Sequence, residues 1–228
     1  MNICFSGLQL PIPVDDAAVT VLEVHNKAFF ARICQSLASQ RGSDAIEPHT
    51  FWDEAGKEWK ASNCLLVVDT PLDLPWDDRA LAGGLANRMA ELTHEDADVR
   101  QGVEDAFALL QSRLRQVAIM LDSEYAFEVD WELKKYLRTY GFGVELDEDE
   151  PLIDKLIKFL MLAKDASLDK AIAFVNLKLF LTKNELEQFY EQAFFAELRL
   201  LLVENVEDAI AYKRERKLVI DQDFIESW

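Results

Sequence analysis

The sequence has few cysteines, few turn-forming residues and no long apolar run. Its three cysteines, Cys4, Cys34 and Cys64, include no C-x-x-C pair, which argues against a disulfide framework and against a zinc site. Half of the 228 residues are hydrophobic, and only 8 are glycine and 6 proline, which indicates a globular chain. No segment approaches the ~20 apolar residues of a membrane span, and no signal peptide is visible. We therefore expect buried, reduced thiols and a cytoplasmic protein.

Positive charge is scarce as well. Lysine and arginine number 24 against 42 aspartates and glutamates, which gives a formal net charge of −18. Binding of duplex DNA normally needs clustered basic residues. A chain of this charge can therefore bind DNA only where its basic residues are gathered locally.

Motifs of known catalytic sites are missing too. His25, His49 and His94 fall on different predicted elements, without the H-x-x-x-H spacing of a metal site. The sequence contains no G-x-S-x-G motif and no Walker loop. We therefore predict that the protein is not an enzyme.

The clearest local pattern is a strand that runs directly into a helix. Residues 19–24 are a β-branched apolar run typical of a strand buried on both faces, and Asn26 can cap the helix that follows. The buried stripe of that helix is predicted to comprise Phe30, Ile33, Cys34 and Leu37. Such a junction often holds phosphate, but the turn of residues 25–27 has no glycine to let the backbone approach one. We expect an α/β fold with a mostly parallel sheet, like a P-loop NTPase without a functional phosphate loop.

A second apolar run, residues 64–68, ends in Asp69. It is similar to the strand that offers a magnesium-binding carboxylate in P-loop enzymes, although many buried parallel strands end in a capping aspartate. One alternative function is therefore a divergent P-loop-type ATPase or kinase that uses Lys27 and Asp69.

The pattern becomes helical after Pro75 and returns to alternating strand and helix near Lys170. The longest predicted helix carries a heptad seam of Val103, Phe107, Leu110, Leu114, Val117 and Leu121, which suits packing against another long helix. Residues 171–203 then predict a βαβ unit. We predict a discontinuous α/β domain, residues 1–75 and 168–228, with an inserted α-helical domain, residues 76–167.

Carboxylates are concentrated after the longest helix, at Asp122, Glu124, Glu128, Asp130 and Glu132. Closely spaced oxygen ligands suit a hard cation, and calcium tolerates irregular geometry better than magnesium does. The alternative interpretation is a charged corner between two helices that holds no ion.

Several motifs follow one another along the chain. They are Met1-Asn-x-x-Phe-Ser, Pro11-Ile-Pro, Val21-Leu-Glu-Val-x-x-x-x-Phe29, Phe127-Glu-Val-Asp130, Gly141-Phe-Gly-Val-Glu145, Phe174-Val-Asn176, Leu181-Thr-Lys-Asn-Glu185 and Leu218-Val-Ile-Asp-Gln-Asp-Phe224. In this order the chain resembles the small adaptation protein of type II-A CRISPR systems. The resemblance implies a non-enzymatic protein of spacer acquisition in antiviral defence, with an α/β core like a P-loop NTPase that lacks a working nucleotide site. It also implies a ring-shaped homotetramer that threads the ends of linear double-stranded DNA through a basic hole, and other adaptation and effector proteins as partners.

The resemblance further implies calcium ions that stabilise the helical parts. Glu128 and Asp130 match the acidic motif of the family, and Glu124 lies one turn earlier, so these three are the predicted metal ligands. The family often has a further aspartate where this chain has Ala126.

Two basic groups are candidates to line the hole in such a ring. They comprise Lys134, Lys135 and Arg138, and Lys213, Arg214, Arg216 and Lys217. A ring that turns basic residues inward and acids outward would hold duplex although each subunit is negative. The alternatives are that both groups are ordinary solvated surface, and that the protein is a pure interaction scaffold whose acids dock basic partners.

Overall fold

The structure, a computed structural model, describes residues 1–127 and 131–228. The chain forms two compact units, which we call the α/β unit and the helical unit. The α/β unit contains Met1–Trp76, Glu145–Lys164 and Leu168–Trp228, and the helical unit contains Asp77–Val144 and Asp165–Ser167.

Within the described residues, the α/β unit contains two sheets. The larger comprises β3 (Val19–Val24), β6 (Leu65–Val68), β7 (Ala171–Val175), β8 (Leu200–Glu204), β9 (Glu215–Ile220) and β10 (Glu226–Ser227). Their order is β10-β9-β3-β8-β7-β6, and every neighbouring pair is parallel except β10 with β9. The smaller, antiparallel sheet comprises β1 (Asn2–Phe5), β2 (Ile12–Pro13), β4 (His49–Trp52) and β5 (Glu58–Trp59).

Six α-helices occur in the part of the chain that the structure describes. The α/β unit contains α1 (Lys27–Ser39), α6 (Lys183–Phe195) and all of α5 (Leu152–Asp165) except its last residue. The helical unit contains α2 (Arg79–Glu95), α3 (Ala97–Ala118) and α4 (Leu133–Thr139). The predicted cap of α1 is confirmed, since Asn26 Oδ1 accepts a hydrogen bond of 3.0 Å from the amide of Phe29. The buried stripe of α1 differs from the predicted one at two positions: Phe29 is buried instead of Phe30, and Cys34 is only half-buried. Ile33 and Leu37 are buried as predicted.

The core of the α/β unit lies around β3. Leu22 and Val24 pack into one cluster with Ile33 of α1, Phe51 of β4 and Leu201 of β8. Burying side chains of this size stabilises the fold by roughly 2 kcal/mol each. The central strand is therefore apolar on this face, as predicted, and α1 covers it.

Residues 145–164, which the sequence analysis placed in the helical insert, cluster with the α/β unit. The reason is the apolar face of α5, on which Leu156, Phe159 and Leu160 are fully buried. The Phe159 ring lies edge-on to the Trp76 ring, with the centroids 5.5 Å apart. The outer limits of the proposed domains stay a prediction.

The prediction of an α/β fold with a mostly parallel sheet is confirmed, and the kinship with P-loop proteins stays a prediction. β9 begins at Glu215, so Arg216 and Lys217 of the second basic group lie within this strand. The strand tolerates charged residues because their side chains have hydrogen-bond or ion-pair partners on both faces of the sheet.

In the described residues no helix has the length and apolarity needed to span a membrane.

Candidate nucleic-acid interface

The basic run 213–217 is split by the strand that contains its second half. Successive side chains of a strand point to opposite faces, so Arg216 and Lys217 of β9 face different sides of the sheet. On one side, Arg216 lies 2.8 Å from Asp15 Oδ2 and also donates to the carbonyl of Pro13. Its guanidinium is therefore engaged within the chain.

Lys217 is enclosed on the other side, with a side chain that is 17% exposed. Its Nζ donates to the carbonyl oxygen of Asp208 and lies 3.4 Å from Glu23 Oε2 and 3.6 Å from Glu215 Oε1. A buried ammonium needs such partners because desolvation of an unpaired charge is costly.

The first two residues of the basic run differ from each other. The guanidinium of Arg214 lies 3.4 Å from the centroid of the Phe194 ring, a cation–π contact. Lys213 is exposed in the turn before β9 and makes no ion pair with the described residues. The structure thus does not bring the four basic residues together. Of the four, only Lys213 is exposed, and it has no ion-pair partner among the described residues.

The second basic group lies on α4 in the helical unit. Lys134 and Arg138 are four residues apart and share one face of the helix. Lys135 Nζ lies 3.0 Å from Glu132 Oε2, and both side chains are exposed, so this pair contributes little to stability. All three cations can therefore be offered to a phosphate.

The predicted metal ligands are described only in part. Glu124 is exposed on the segment that follows α3, where it lines an open pocket of about 570 Å³ with Asp122, Arg115 and Tyr125. Glu128 and Asp130 lie outside the described residues. Among the residues that the structure does describe, no three histidine, cysteine or acidic side chains come together as a metal site. The calcium site stays a prediction.

The glycine-free turn after β3 is occupied by side chains of the protein itself. The Val24 carbonyl accepts a hydrogen bond of 2.6 Å from Asn205 Nδ2, and the His25 carbonyl accepts one of 2.6 Å from Gln222 Nε2. His25 Nε2 lies 2.7 Å from Glu23 Oε1. Lys27 and Asp69, the pair required by the enzyme alternative, follow β3 and β6, between which β8 and β7 lie in the sheet.

Buried carboxylates near this turn were missed by the sequence analysis. Glu23 and Glu204 stand opposite each other on β3 and β8 and are 2% and 1% exposed. Burial raises the pKa of Glu204 to about 7, although the Lys178 amide donates to it and favours ionisation. The signal in the sequence was an acid within or at the end of each apolar run.

Helix α3 leaves its predicted seam unpacked by the described residues. None of its 22 residues is buried. Val103 and Phe107 are half-buried, and the Phe107 ring stacks on Trp131 with the centroids 4.4 Å apart. The rest of the seam is 46–60% exposed, at Leu110, Leu114, Val117 and Leu121.

Comparison with known proteins identifies the family. A search of curated proteins gave no match. The fold is similar to that in the crystal structure of Stu0660 of Streptococcus thermophilus, with a TM-score of 0.58 and 18% sequence identity over 89% of this chain and 68% of that one. The sequence model of the CRISPR-associated protein family Cas_Csn2 matches residues 43–224, most of the chain. The chain therefore belongs to the Cas_Csn2 family of CRISPR adaptation proteins.

Proposed function

We propose that this CRISPR adaptation protein is a non-enzymatic, sequence-independent binder of double-stranded DNA. It acts in spacer acquisition in the cytoplasm as a ring-shaped homotetramer that threads linear duplex from its ends. The observation that carries the proposal is the exposed apolar seam of α3. The family membership sets the biological context, because the matched family is one of CRISPR-associated proteins.

The seam supports assembly from copies of this chain. Four consecutive seam residues in the second half of α3 and just after it are about half exposed, and a contiguous stripe of this kind marks an interaction surface. The seam residues 103, 107, 110, 114, 117 and 121 step by 4, 3, 4, 3 and 4, which reads the same in both directions. An antiparallel, two-fold pairing would therefore place apolar residues opposite apolar residues.

Assembly would also resolve the unfavourable charge. Each subunit carries a net charge of −18, so an isolated subunit repels duplex DNA. Four copies that turn either Lys213 or the α4 group of Lys134, Lys135 and Arg138 toward a channel would create a local positive field. Contacts of this kind reach phosphates rather than base edges, so binding would not depend on sequence.

Calcium belongs to the same proposal. Glu124 would bind it together with Glu128 and Asp130, and Asp122 offers a further carboxylate beside Glu124 in the pocket after α3. Carboxylate oxygens suit this ion, and its charge would offset repulsion among the acids. Removal of the ion is expected to weaken the assembly and hence DNA binding.

We also propose that the protein carries out no nucleotide-dependent reaction, and this part of the proposal is based on the geometry of the turn after β3. The core would be a P-loop-like sheet whose phosphate site is no longer usable. Buried Glu23 and Glu204 lie near the ends of β3 and β8, where α/β proteins commonly bind phosphate, and they place carboxyl groups rather than phosphate-binding donors there. Saturable binding of ATP or GTP would favour the enzyme alternative.

The test is a gel-shift titration of the purified protein on a linear duplex and on the same sequence as a covalently closed circle. Each titration is run with calcium and with a chelator. Binding to the linear form alone, weakened by the chelator, is the expected result.

Equal binding to both forms would rule out threading. Absence of binding to either form at modest salt would favour a scaffold whose acidic surface docks basic adaptation proteins. Parallel light scattering measures whether four copies assemble.

A further inference from the structure

The segment between β8 and β9, residues 205–214, has no regular secondary structure, and many of its side chains point to solvent. Val206 and Ile210 are 50% and 42% exposed, and Glu207 and Ala209 are exposed as well. Asp208 is the exception in the middle of this run, because it is half-buried. The segment ends at Lys213 and Arg214, the two residues that precede β9.

Asp208 is fixed in place through three of its own groups, namely its carboxylate, its carbonyl oxygen and its amide. Its carboxylate Oδ2 lies 2.9 Å from Lys178 Nζ, and its carbonyl oxygen accepts a hydrogen bond from Lys217 Nζ. Its amide donates to Glu23 Oε2 at 3.2 Å. One residue of the segment is therefore attached to three different elements of the α/β unit.

The two lysines are in turn fixed by carboxylates of the sheet. Lys178 Nζ lies 2.8 Å from Glu215 Oε2 and 4.9 Å from the centroid of the Tyr212 ring, and its side chain is 10% exposed. Glu215 also accepts a hydrogen bond of 2.8 Å from the Tyr190 hydroxyl. Burial would lower the pKa of Lys178, but its hydrogen bonds to Glu215 and Asp208 outweigh burial and raise that pKa. Lys178 therefore stays charged over the physiological pH range.

The positions of Lys178 and Lys217 depend more on Asp208 than on any ion pair at the surface. Removing one partner of a buried ion pair leaves the other partner desolvated and unpaired, which costs more than the intact pair contributes. Without the Asp208 carboxylate, Lys178 keeps only Glu215 among its present ion-pair partners in the described residues. The remaining contacts of segment 205–214 are then expected to loosen.

We propose that Asp208 is a positioning residue that latches segment 205–214 onto the sheet and so sets the place of Lys213. Lys178 and Lys217 act in this latch and do not contact DNA themselves. The consequence for DNA rests on the proposed function, because it requires that Lys213 contacts a phosphate. The latch itself does not depend on the proposed function.

The first test needs no DNA. Asp208→Asn removes the charge at nearly constant shape, and Glu207→Gln makes the same charge change on the exposed neighbouring residue. Limited trypsin digestion of the folded full-length chain, with fragments mapped by mass spectrometry, reports opening of the segment at Lys213 and Arg214. Cleavage there tracks the population of the open form, so we expect it to be about tenfold faster in D208N than in E207Q and the wild type. Equal rates in the three proteins would overturn the latch.

The second test measures binding to a linear duplex over a range of salt concentrations. Lys213→Ala should weaken binding and reduce the salt dependence, because one phosphate contact per bound subunit is lost. D208N should approach K213A in both respects, and E207Q should match the wild type. If D208N opens the segment yet binds DNA as the wild type does, positioning by Asp208 is wrong. If no variant and no wild type bind DNA, the proposed function fails, whereas the trypsin result still decides the latch.

Should D208N not fold, the wild-type chain provides a third test by amide hydrogen exchange. The Asp208 amide donates to a buried carboxylate, whereas the amides of Glu207 and Ala209 make no hydrogen bond with the described residues. We expect the Asp208 amide to exchange at least about tenfold more slowly than those two amides. Equal exchange at the three positions would contradict the latch.

Discussion

Glu204 places an ionisable group in the interior beside another one. Its Oε1 accepts the amide of Lys178 at 3.1 Å, whereas its Oε2 is buried and has no hydrogen-bond partner in the described residues. Glu23, opposite on β3, is bound by His25 and Lys217. Burial of the Glu204 carboxyl group, with its Oε2 unpartnered among the described residues, raises its pKa and favours the protonated form.

Glu204→Gln tests this proton by the pH dependence of stability. The pKa of Glu204 is about 7 in the folded chain against an ordinary 4.5, so the folded state binds its proton more tightly than the unfolded state does. Stability is therefore fully present below the ordinary pKa and is lost as the pH rises toward 7. Relative to the wild type, E204Q should gain roughly 3 kcal/mol in the free energy of unfolding between pH 4.5 and 8.

Urea unfolding at a series of pH values measures this gain. Glu191→Gln, a change of the same kind on the exposed side of α6, should show no such trend. A constant difference between E204Q and the wild type across the range would show that Glu204 ionises normally.

At the level of elements, the two adjacent glycines of α2 have different roles. A Cβ at Gly84 would lie 2.1 Å from the carbonyl oxygen of Ala166, so this glycine permits a close backbone approach within the helical unit. A Cβ at Gly83 would meet nothing nearer than the Arg138 guanidinium, at 3.8 Å. Only one of the pair is therefore required by packing.

Gly84→Ala should lower the free energy of unfolding by roughly 1 to 3 kcal/mol, because the helix must move away from a neighbouring backbone. Gly83→Ala should raise it by up to about 1 kcal/mol, since alanine favours the helix and no contact opposes it. Urea denaturation of both variants compares them. A gain in stability for G84A would mean that α2 and residues 165–167 are not in contact in solution.

In the proposed function, assembly of the tetramer depends on helix α3. Leu114→Glu places a charge in the middle of the exposed seam, where its side chain contributes little to folding of the subunit. We expect L114E to remain folded but to lose the tetramer, because burying an unpaired carboxylate in an interface is costly. Light scattering and circular dichroism measure the two properties.

Ser112→Glu is the matched control, because Ser112 lies on the side of α3 opposite the seam. It adds the same charge and should leave the assembly intact. Tetramers in both variants would exclude the seam as the interface.

The whole molecule carries many more acids than bases, so the proposed contact with DNA would depend on topology as well as on charge. A channel needs a free duplex end for entry, whereas a surface patch does not. Linear duplex with streptavidin bound to biotin at both ends should therefore bind no better than a closed circle. The same duplex with one internal biotin–streptavidin should bind like the uncapped linear form. Gel-shift titration compares them, and undiminished binding to the capped duplex would contradict threading.

Much of the secondary structure could be predicted because its signals are local. The cap at Asn26 involves residues three apart, and the structure contains it. The strands β7 and β8 of the predicted βαβ unit were likewise evident from short patterns. The division of the chain into two units was less predictable. The amphipathic pattern of α5 would suit either unit, and only the residues around α5 decide where it packs.

The sequence by itself determined the α/β class, the order of most elements and, through collinear motifs, the family. Tertiary structure alone decided which charges are available to a partner. Arg216 pairs with Asp15, 201 residues away, and Asp208 bonds to Glu23 across 185 residues, so no local pattern could show that these groups are engaged. The basic run 213–217 looks continuous in the sequence, but the alternation of a β-strand sends its side chains to opposite faces. Lys213, Lys135 and Arg138 are thus exposed and Lys134 is half-buried, because packing rather than composition sets the environment of each charge.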